Sequence, residues 1–446
     1  MKSLLVFVFF LNYLQAEQVW FVKFPYKHNY LSRIEKIFPL IDLIEYDYYQ
    51  SSYVFLVPTN DASNFTHFIH QSQGSYRIIV DNTKDLLKKS RQQSKRSIAS
   101  DNPLDKTYYQ RFLSYDEQQD WCRLLSNSSL TNKSIRLHTI GKTYENRSLT
   151  VVEIHSKSHP RYRKGRRRKN AVFIDGGMHA REWLSIGVAN YVIVQFLKLK
   201  EKNPKVKKIL HYFDVFILSM MNPDGYEYSR NENRLWRKNR APTSVSNYWS
   251  IDSSCYGVDL NRNFPFQWNN TFGASPFPCS HSFSGLKSLS ENEVQSVVNF
   301  LRNKTYTRHQ FYAYFNLHAY GRFWLLPWSY TTLERVKNYD DLFKRSNNVT
   351  STVMNGTYKV GQASSLLYSC TGTSIDFAAT LMPHAMTLEL SPMYHGLPLC
   401  YDGYSRKDQN CTIGFMSGPE EIEIDGIEVF NAIVEYLYSI IQDNFV

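Results

Sequence analysis

Residues 171–196 constrain the fold more than any other stretch of this 446-residue chain. The apolar run Ala171 to Ile174 reads as a buried strand, Gly176 and Gly177 as a tight turn, and Arg181 onward as a helix whose Leu184, Val188, Val192 and Phe196 form one core-facing row. Strand, turn and buried helix in that order point to an α/β fold, in which ligands collect at the carboxyl ends of strands. At that end stand His179 and Glu182, and the i, i+3 spacing lets them converge on one point. His318, far downstream in "FYAYFNLHAYG", completes a candidate set of two imidazoles and one carboxylate. Three such ligands hold zinc with the fourth position open for water. His-x-x-Glu alone is short enough to arise by chance, so the surrounding sequence has to decide.

With 43% hydrophobic and 15% aromatic residues, the chain can build one large or two medium domains. Lys2, the apolar run Leu4 to Leu14 and Ala16 fit an export signal over residues 1–16, and that run is too short to span a bilayer. No later stretch is long and apolar enough to cross, so a soluble, secreted product is expected. Sequons at Asn64, Asn127, Asn132, Asn146, Asn269, Asn303, Asn348, Asn355 and Asn410 agree with export. The formal net charge of +12 is partly local, and no nucleic-acid module accompanies it. Its densest run, "RYRKGRRRK" (161–169), reads as a solvated loop, with an acidic-glycan contact or a protease-sensitive site as sharper alternatives. Among six cysteines, Cys400 and Cys411 are close enough to staple one loop, although sequence does not fix pairing; Cys370 is left over, and Cys122, after Trp121 in a helical pattern, reads as buried.

Before residue 97 the pattern is that of a small α+β unit. "QVWFVKF", "YVFLVP" and "SYRIIV" read as strands, Tyr30 to Ile44 and "SNFTHFIHQ" as helices, and "TKDLLKKSRQQSKR" as a polar basic helix or linker. From Ser97 onward apolar strands alternate with amphipathic helices in one α/β domain.

Four blocks decide between chance and function: "DGGMHAREW" (175–183), "MMNPDGYEYSRNENRLWRKNR" (220–240), "GVDLNRNF" (257–264), and "LHAY" (317–320) with "SIDF" (374–377) and "TLEL" (387–390). In order and spacing they resemble the secreted metallocarboxypeptidases of the carboxypeptidase A/B family over nearly the whole chain. The resemblance implies a catalytic domain (97–446) with a mixed parallel and antiparallel sheet flanked by helices, preceded by an inhibitory activation segment (17–96). A trypsin-like protease would remove that segment after Lys95 and Arg96. It implies one Zn2+ held by His179, Glu182 and His318, with Asp259 orienting His179, Glu389 as general base and acid, and Arg237 stabilising the oxyanion. Asn261, Arg262 and Tyr368 would hold the terminal carboxylate of a peptide or protein, and Arg181 would contact upstream substrate. Cys255 and Cys279 match a bridged pair. Ile375 occupies a position that is aliphatic in A-type and acidic in B-type members, so apolar C-terminal residues are expected and basic ones disfavoured. Thr373 and Cys370 are larger than the usual residues and would narrow the pocket. The segment "SPMYHG" after Glu389 departs from the family's pattern. A monomer with no nucleic-acid partner is expected. A catalytically silent, glycan-binding relative is the competing reading, but it goes with loss of a catalytic group, and Glu389, His179, Glu182, His318 and Arg237 are all present.

Overall fold

The computed structural model describes residues 17–25, 30–38, 40–47, 52–93, 100–131, 134–156, 169–243, 255–268, 273–303, 309–391 and 414–444. The expected export signal, the expected cut site at Lys95 and Arg96, basic residues 161–168, and Cys400 with Cys411 lie outside them. The chain divides into two compact units between Asp85 and Leu86.

In the small unit, β1 (Glu17–Lys23), β2 (Asp42–Asp47), β3 (Ser52–Pro58) and β4 (Ser75–Val80) form an antiparallel sheet in the order β2-β3-β1-β4. Trp20, Val22 and Phe55 of the sheet bury against Phe65 and Ile69 of the helix Ala62–Gln71. The helix expected over Tyr30 to Ile44 is corrected: it ends at Ile37, and Asp42–Asp47 is an edge strand pairing with β3. Pro39 lacks an N–H and biases its predecessor toward extended backbone, which cuts the apolar pattern in two.

The large unit carries an eight-stranded mixed sheet among its described residues: β5 (Ile135–Lys142), β6 (Ser148–Ile154), β7 (Lys169–Asp175), β8 (Phe213–Leu218), β9 (His309–Ala319), β10 (Phe323–Leu326), β11 (Lys359–Gln362) and β12 (His384–Leu390). Their order is β11-β10-β12-β9-β7-β8-β6-β5. The contiguous strands β8, β7, β9 and β12 are mutually parallel, whereas β6 joins β8, β5 joins β6, and β10 joins β12 in antiparallel fashion. All six residues of β8 are buried, as expected for a strand covered on both faces. Alternation divides β7 between two cores: Val172 and Ile174 face the cluster that includes Val188 and Val192, and Ala171 and Phe173 face the one with Val297 and Phe300. Each large apolar side chain so buried contributes about 1.5–3 kcal/mol.

The helix Trp183–Leu199 is buried on almost every side, including the row Leu184, Val188, Val192 and Phe196. Gly187 lets the helix Glu421–Asn444 approach, since a Cβ there would lie 2.7 Å from Ile422 Cδ1. The first of these helices begins at Trp183 and not at Arg181, with Glu182 as its N-cap residue. Thus His179 and Glu182 converge through the turn after β7, and not through a helical face. No helix among the described residues is long and apolar enough to cross a membrane.

Candidate active site

The four parallel strands end together at Leu218, Asp175, Ala319 and Leu390, and the polar residues of interest sit on those ends or just past them. The turn after β7 needs glycine: Gly177 has φ +65°, and a Cβ there would stand 2.6 Å from Ile186 Cγ1. Its amide donates to Ser185 Oγ at 3.0 Å, while Ser185 Oγ donates to the Glu182 carbonyl at 2.7 Å. Met221 and Asn222 amides donate to the carbonyls of Gly176 and Gly177, both at 3.0 Å. The turn is therefore held by backbone on two sides before any ligand-type side chain is counted.

His179 Nδ1 lies 2.7 Å from Glu182 Oε1, and His318 Nδ1 lies 2.9 Å from Glu182 Oε2. All three residues are buried, and their ligand atoms lie within 4.8 Å of one another. Two imidazole nitrogens and one carboxylate converging in this way fit the donor preference of zinc. Burial alone would raise the Glu182 pKa, but the two imidazoles outweigh it and hold the carboxyl below its ordinary range. Burial and the Arg237 charge lower the pKa of His179. His318 goes the other way, because Glu182 overcomes the cost of burial. The second nitrogen of His179, Nε2, meets Asp259 Oδ1 at 3.1 Å. Glu389, one residue from the end of β12, is in register with His318 on β9. Burial pushes its pKa up to about 7, against the opposing pull of His318 and Arg237.

Asp259 also receives Arg237 Nε at 3.0 Å and Nη2 at 2.9 Å on Oδ2. Its Oδ1 accepts the Asn261 amide at 2.9 Å. Arg262 is 3% exposed; its Nε donates to the Gly273 carbonyl at 2.5 Å, Nη1 to the Asn261 carbonyl at 2.9 Å, and Nη2 to the Tyr368 hydroxyl at 3.2 Å. Among the described residues no carboxylate lies within ion-pair distance of that guanidinium. Tyr368 is 40% exposed, so its ring reaches solvent while its hydroxyl points inward. Asn261 Oδ1 accepts from Ser374 N at 2.9 Å, at the start of the helix Ser374–Ala379 that carries Ile375. Ile375 and Thr373 are buried, and Cys370 is half-buried. Arg181 is buried with its guanidinium 4.5 Å from the Phe415 ring centroid. Cys255 and Cys279 form a disulfide, as the resemblance implied, and Cys122 is buried, with its thiol pKa raised to about 12 by burial.

Several supporting residues carried no role in the sequence reading. Asn222 Nδ2 donates to the carbonyls of Met178 and Lys238, both at 3.1 Å, and so joins the His179 turn to the segment bearing Arg237. Ala180 N donates to the Arg237 carbonyl at 3.0 Å, which closes the same junction. Asp376 accepts the amides of Ser329 at 2.7 Å and Tyr330 at 3.1 Å, and burial pushes its pKa up to about 7. Their position inside the quoted blocks was the available hint; their partners are backbone atoms far off in sequence.

The sequence profile of the zinc carboxypeptidase family, peptidase M14, matches residues 120–430. The chain is 30% identical over 341 residues to Carboxypeptidase A6 of Homo sapiens, spanning 75% of this chain and 72% of that protein. It is equally 30% identical over 341 residues to Carboxypeptidase B2 of Rattus norvegicus, spanning 75% of each. Among solved structures, that of thrombin activatable fibrinolysis inhibitor superposes with a TM-score of 0.76 at 25% identity, covering 96% of this chain and 100% of that one.

Proposed function

The chain belongs to the zinc carboxypeptidase family and is a metallo-exopeptidase, and from that premise we propose that it is secreted as a zymogen and releases apolar residues from peptide C-termini. Arg262 carries the reading. Among the described residues no carboxylate bonds this buried guanidinium directly, although the nearby Asp259 favours its charge; an anion would complete its bonding, and a planar guanidinium meets a carboxylate through two parallel hydrogen bonds. The free carboxylate of a peptide terminus is that anion, with Asn261 beside it and Tyr368 closing over it.

His179, Glu182 and His318 would hold zinc, whose chemistry when bound is to polarise the scissile carbonyl and acidify a water. Glu389 takes the proton from the attacking water and returns it to the amine of the departing residue, which a carboxyl raised to about 7 can do in both directions near neutrality. Arg237, held on Asp259, keeps a fixed positive charge where the carbonyl oxygen becomes negative. Asp259 fixes the ring of His179. Arg181 lines the upstream subsites.

The relatives named as A and B types match equally well, so specificity has to come from the pocket. Ile375 offers no charge to a lysine or arginine that would lose its hydration, whereas a branched aliphatic side chain gains roughly 1.5–3 kcal/mol from burial. Thr373 and Cys370 work against the largest rings. Export is supported by the disulfide and by exposed sequon asparagines at Asn64, Asn127, Asn146, Asn303, Asn348 and Asn355. We assign residues 1–16 to the signal, 17–96 to the activation segment and 97–446 to the enzyme.

Hydrolysis of peptides differing only in their last residue, with and without chelator, tests the reading. We expect Leu, Ile, Val and Met first, Phe and Tyr next, Trp lower, charged residues nearly untouched, no turnover without metal, and a shift toward Lys and Arg in Ile375→Asp. Release of Arg as fast as Leu by the unmodified enzyme would refute the pocket assignment.

A further inference from the structure

A second group of ligand-type side chains meets inside the large unit. Glu153 is the penultimate residue of β6, Asp214 the second of β8, and His309 the first of β9. One ligand atom from each lies within 4.8 Å of the others, the same measure that His179, Glu182 and His318 satisfy. All three are buried. His309 and His318 occupy the two ends of β9, nine positions apart and so about 30 Å along an extended strand. The two groups are distinct.

Around this point, His309 Nε2 is 2.7 Å from Asp214 Oδ2, and His138 Nε2 on β5 is 2.7 Å from Glu153 Oε2. His155 Nδ1 lies 3.4 Å from Glu153 Oε1, which also receives Arg136 Nη1 at 2.7 Å. Three of the chain's 13 histidines thus gather on two carboxylates. The two buried carboxylates face three imidazoles and Arg136, whose side chain is 55% exposed. A divalent ion at the centre would meet both carboxylates at once. With metal–ligand distances of about 2.0–2.2 Å, tetrahedral ligand atoms stand about 3.3–3.6 Å apart, so the group closes by side-chain rotation without moving its strands. His138 and His155 each stand beside Glu153 as the source of a fourth ligand. A mixed imidazole and carboxylate set suits zinc better than calcium or magnesium, which prefer oxygen alone.

We propose that Glu153, Asp214 and His309 form a second divalent-metal site of the zinc class, a structural one that ties β6, β8 and β9 together at the strand ends remote from the catalytic edge. It draws on residues from three strands and does not depend on the peptidase reading. Its test counts ions. The full-length chain is stripped with a chelator, reloaded with zinc, passed through gel filtration to shed weakly held ions, and analysed for zinc per chain beside His318→Ala and Glu153→Gln. Two ions in the unmodified chain and one in each variant are expected, with Glu153→Gln keeping peptidase activity after trypsin activation. One ion in the unmodified chain, or two in Glu153→Gln, overturns the proposal. Should circular dichroism show Glu153→Gln unfolded, His309→Gln takes its place, and the one ion expected in His318→Ala decides independently, none there being a refutation.

Discussion

Asp259→Asn and Asp259→Ala separate what one buried carboxylate does for a metal ligand from what it does for folding. Asp259 is fully buried and takes His179 Nε2 at 3.1 Å, Arg237 at 3.0 and 2.9 Å, and the Asn261 amide at 2.9 Å. The Asn variant keeps the volume and one acceptor oxygen but turns an amide toward the Arg237 guanidinium, donor against donor. Losing a charged partner on the far nitrogen of a ligating imidazole costs about 10–100-fold in metal affinity, which is about 1.4–2.8 kcal/mol. The Ala variant goes further and strands Arg237. Removing one member of a buried ion pair costs about 3–5 kcal/mol, and because the Arg237 side chain is 14% exposed, the lower end applies. Competition for zinc against a metallochromic chelator measures the first quantity, and urea unfolding of the metal-free chain measures the second. An Asn variant within about twofold of the parent in zinc affinity, together with an Ala variant less than about 1 kcal/mol weaker, would refute the idea that Asp259 orients His179 and anchors Arg237.

Two further outcomes are expected. Glu389→Gln should retain zinc and fold yet lose turnover on the order of a hundredfold or more, the usual scale for a general base; zinc content and rate measured on one preparation check it, and unchanged turnover would make Glu389 structural. Limited trypsin digestion should raise activity as a fragment beginning near Ser97 appears, and a full-length chain as active as the digested one would contradict latency.

Periodicity made β7, its turn and the row Leu184, Val188, Val192 and Phe196 legible, because a buried strand and a buried helix write their burial into local sequence. It misjudged Tyr30 to Ile44, where one apolar pattern covers a helix and an edge strand with Pro39 between them. It also drew the helix start too early: Glu182 at the N-cap has φ −90° and ψ 60°, a local geometry that spacing does not reveal. The convergence of His179, Glu182 and His318 was anticipated from residue type and family resemblance, since 136 positions separate Glu182 from His318 and only sheet pairing brings them together. Asn222 and Asp376 bond to backbone carbonyls and amides that any sequence supplies, so their partners leave no trace in the chain's pattern. Glu153, Asp214 and His309 were missed for a related reason: they come from three separate strands, and nothing local joins them.

The way the pocket segment is fastened bears on how specificity and catalysis can change separately. Residues 368–376 are held mainly through backbone: Cys370 N donates to the Ser329 carbonyl at 2.9 Å, the Gly372 carbonyl accepts from Phe264 N at 3.0 Å, and Ser374 N donates to Asn261 Oδ1 at 2.9 Å. Asp376 locks the far end onto the Ser329 and Tyr330 amides. None of these bonds uses the side chains of Cys370, Thr373 or Ile375, the three to which we assign pocket shape and charge. Replacing Ile375 therefore leaves the anchors of Asn261 and Arg262 intact, so the proposed carboxylate contact would survive a change in the residue that is accepted, whereas Cys370 interacts with Arg262 itself. By contrast His179, Arg237 and Asn261 all bond through Asp259, so no change there can be confined to one step. Selection on substrate preference can act on Ile375 alone, and the set bonded through Asp259 has to move as a unit or not at all.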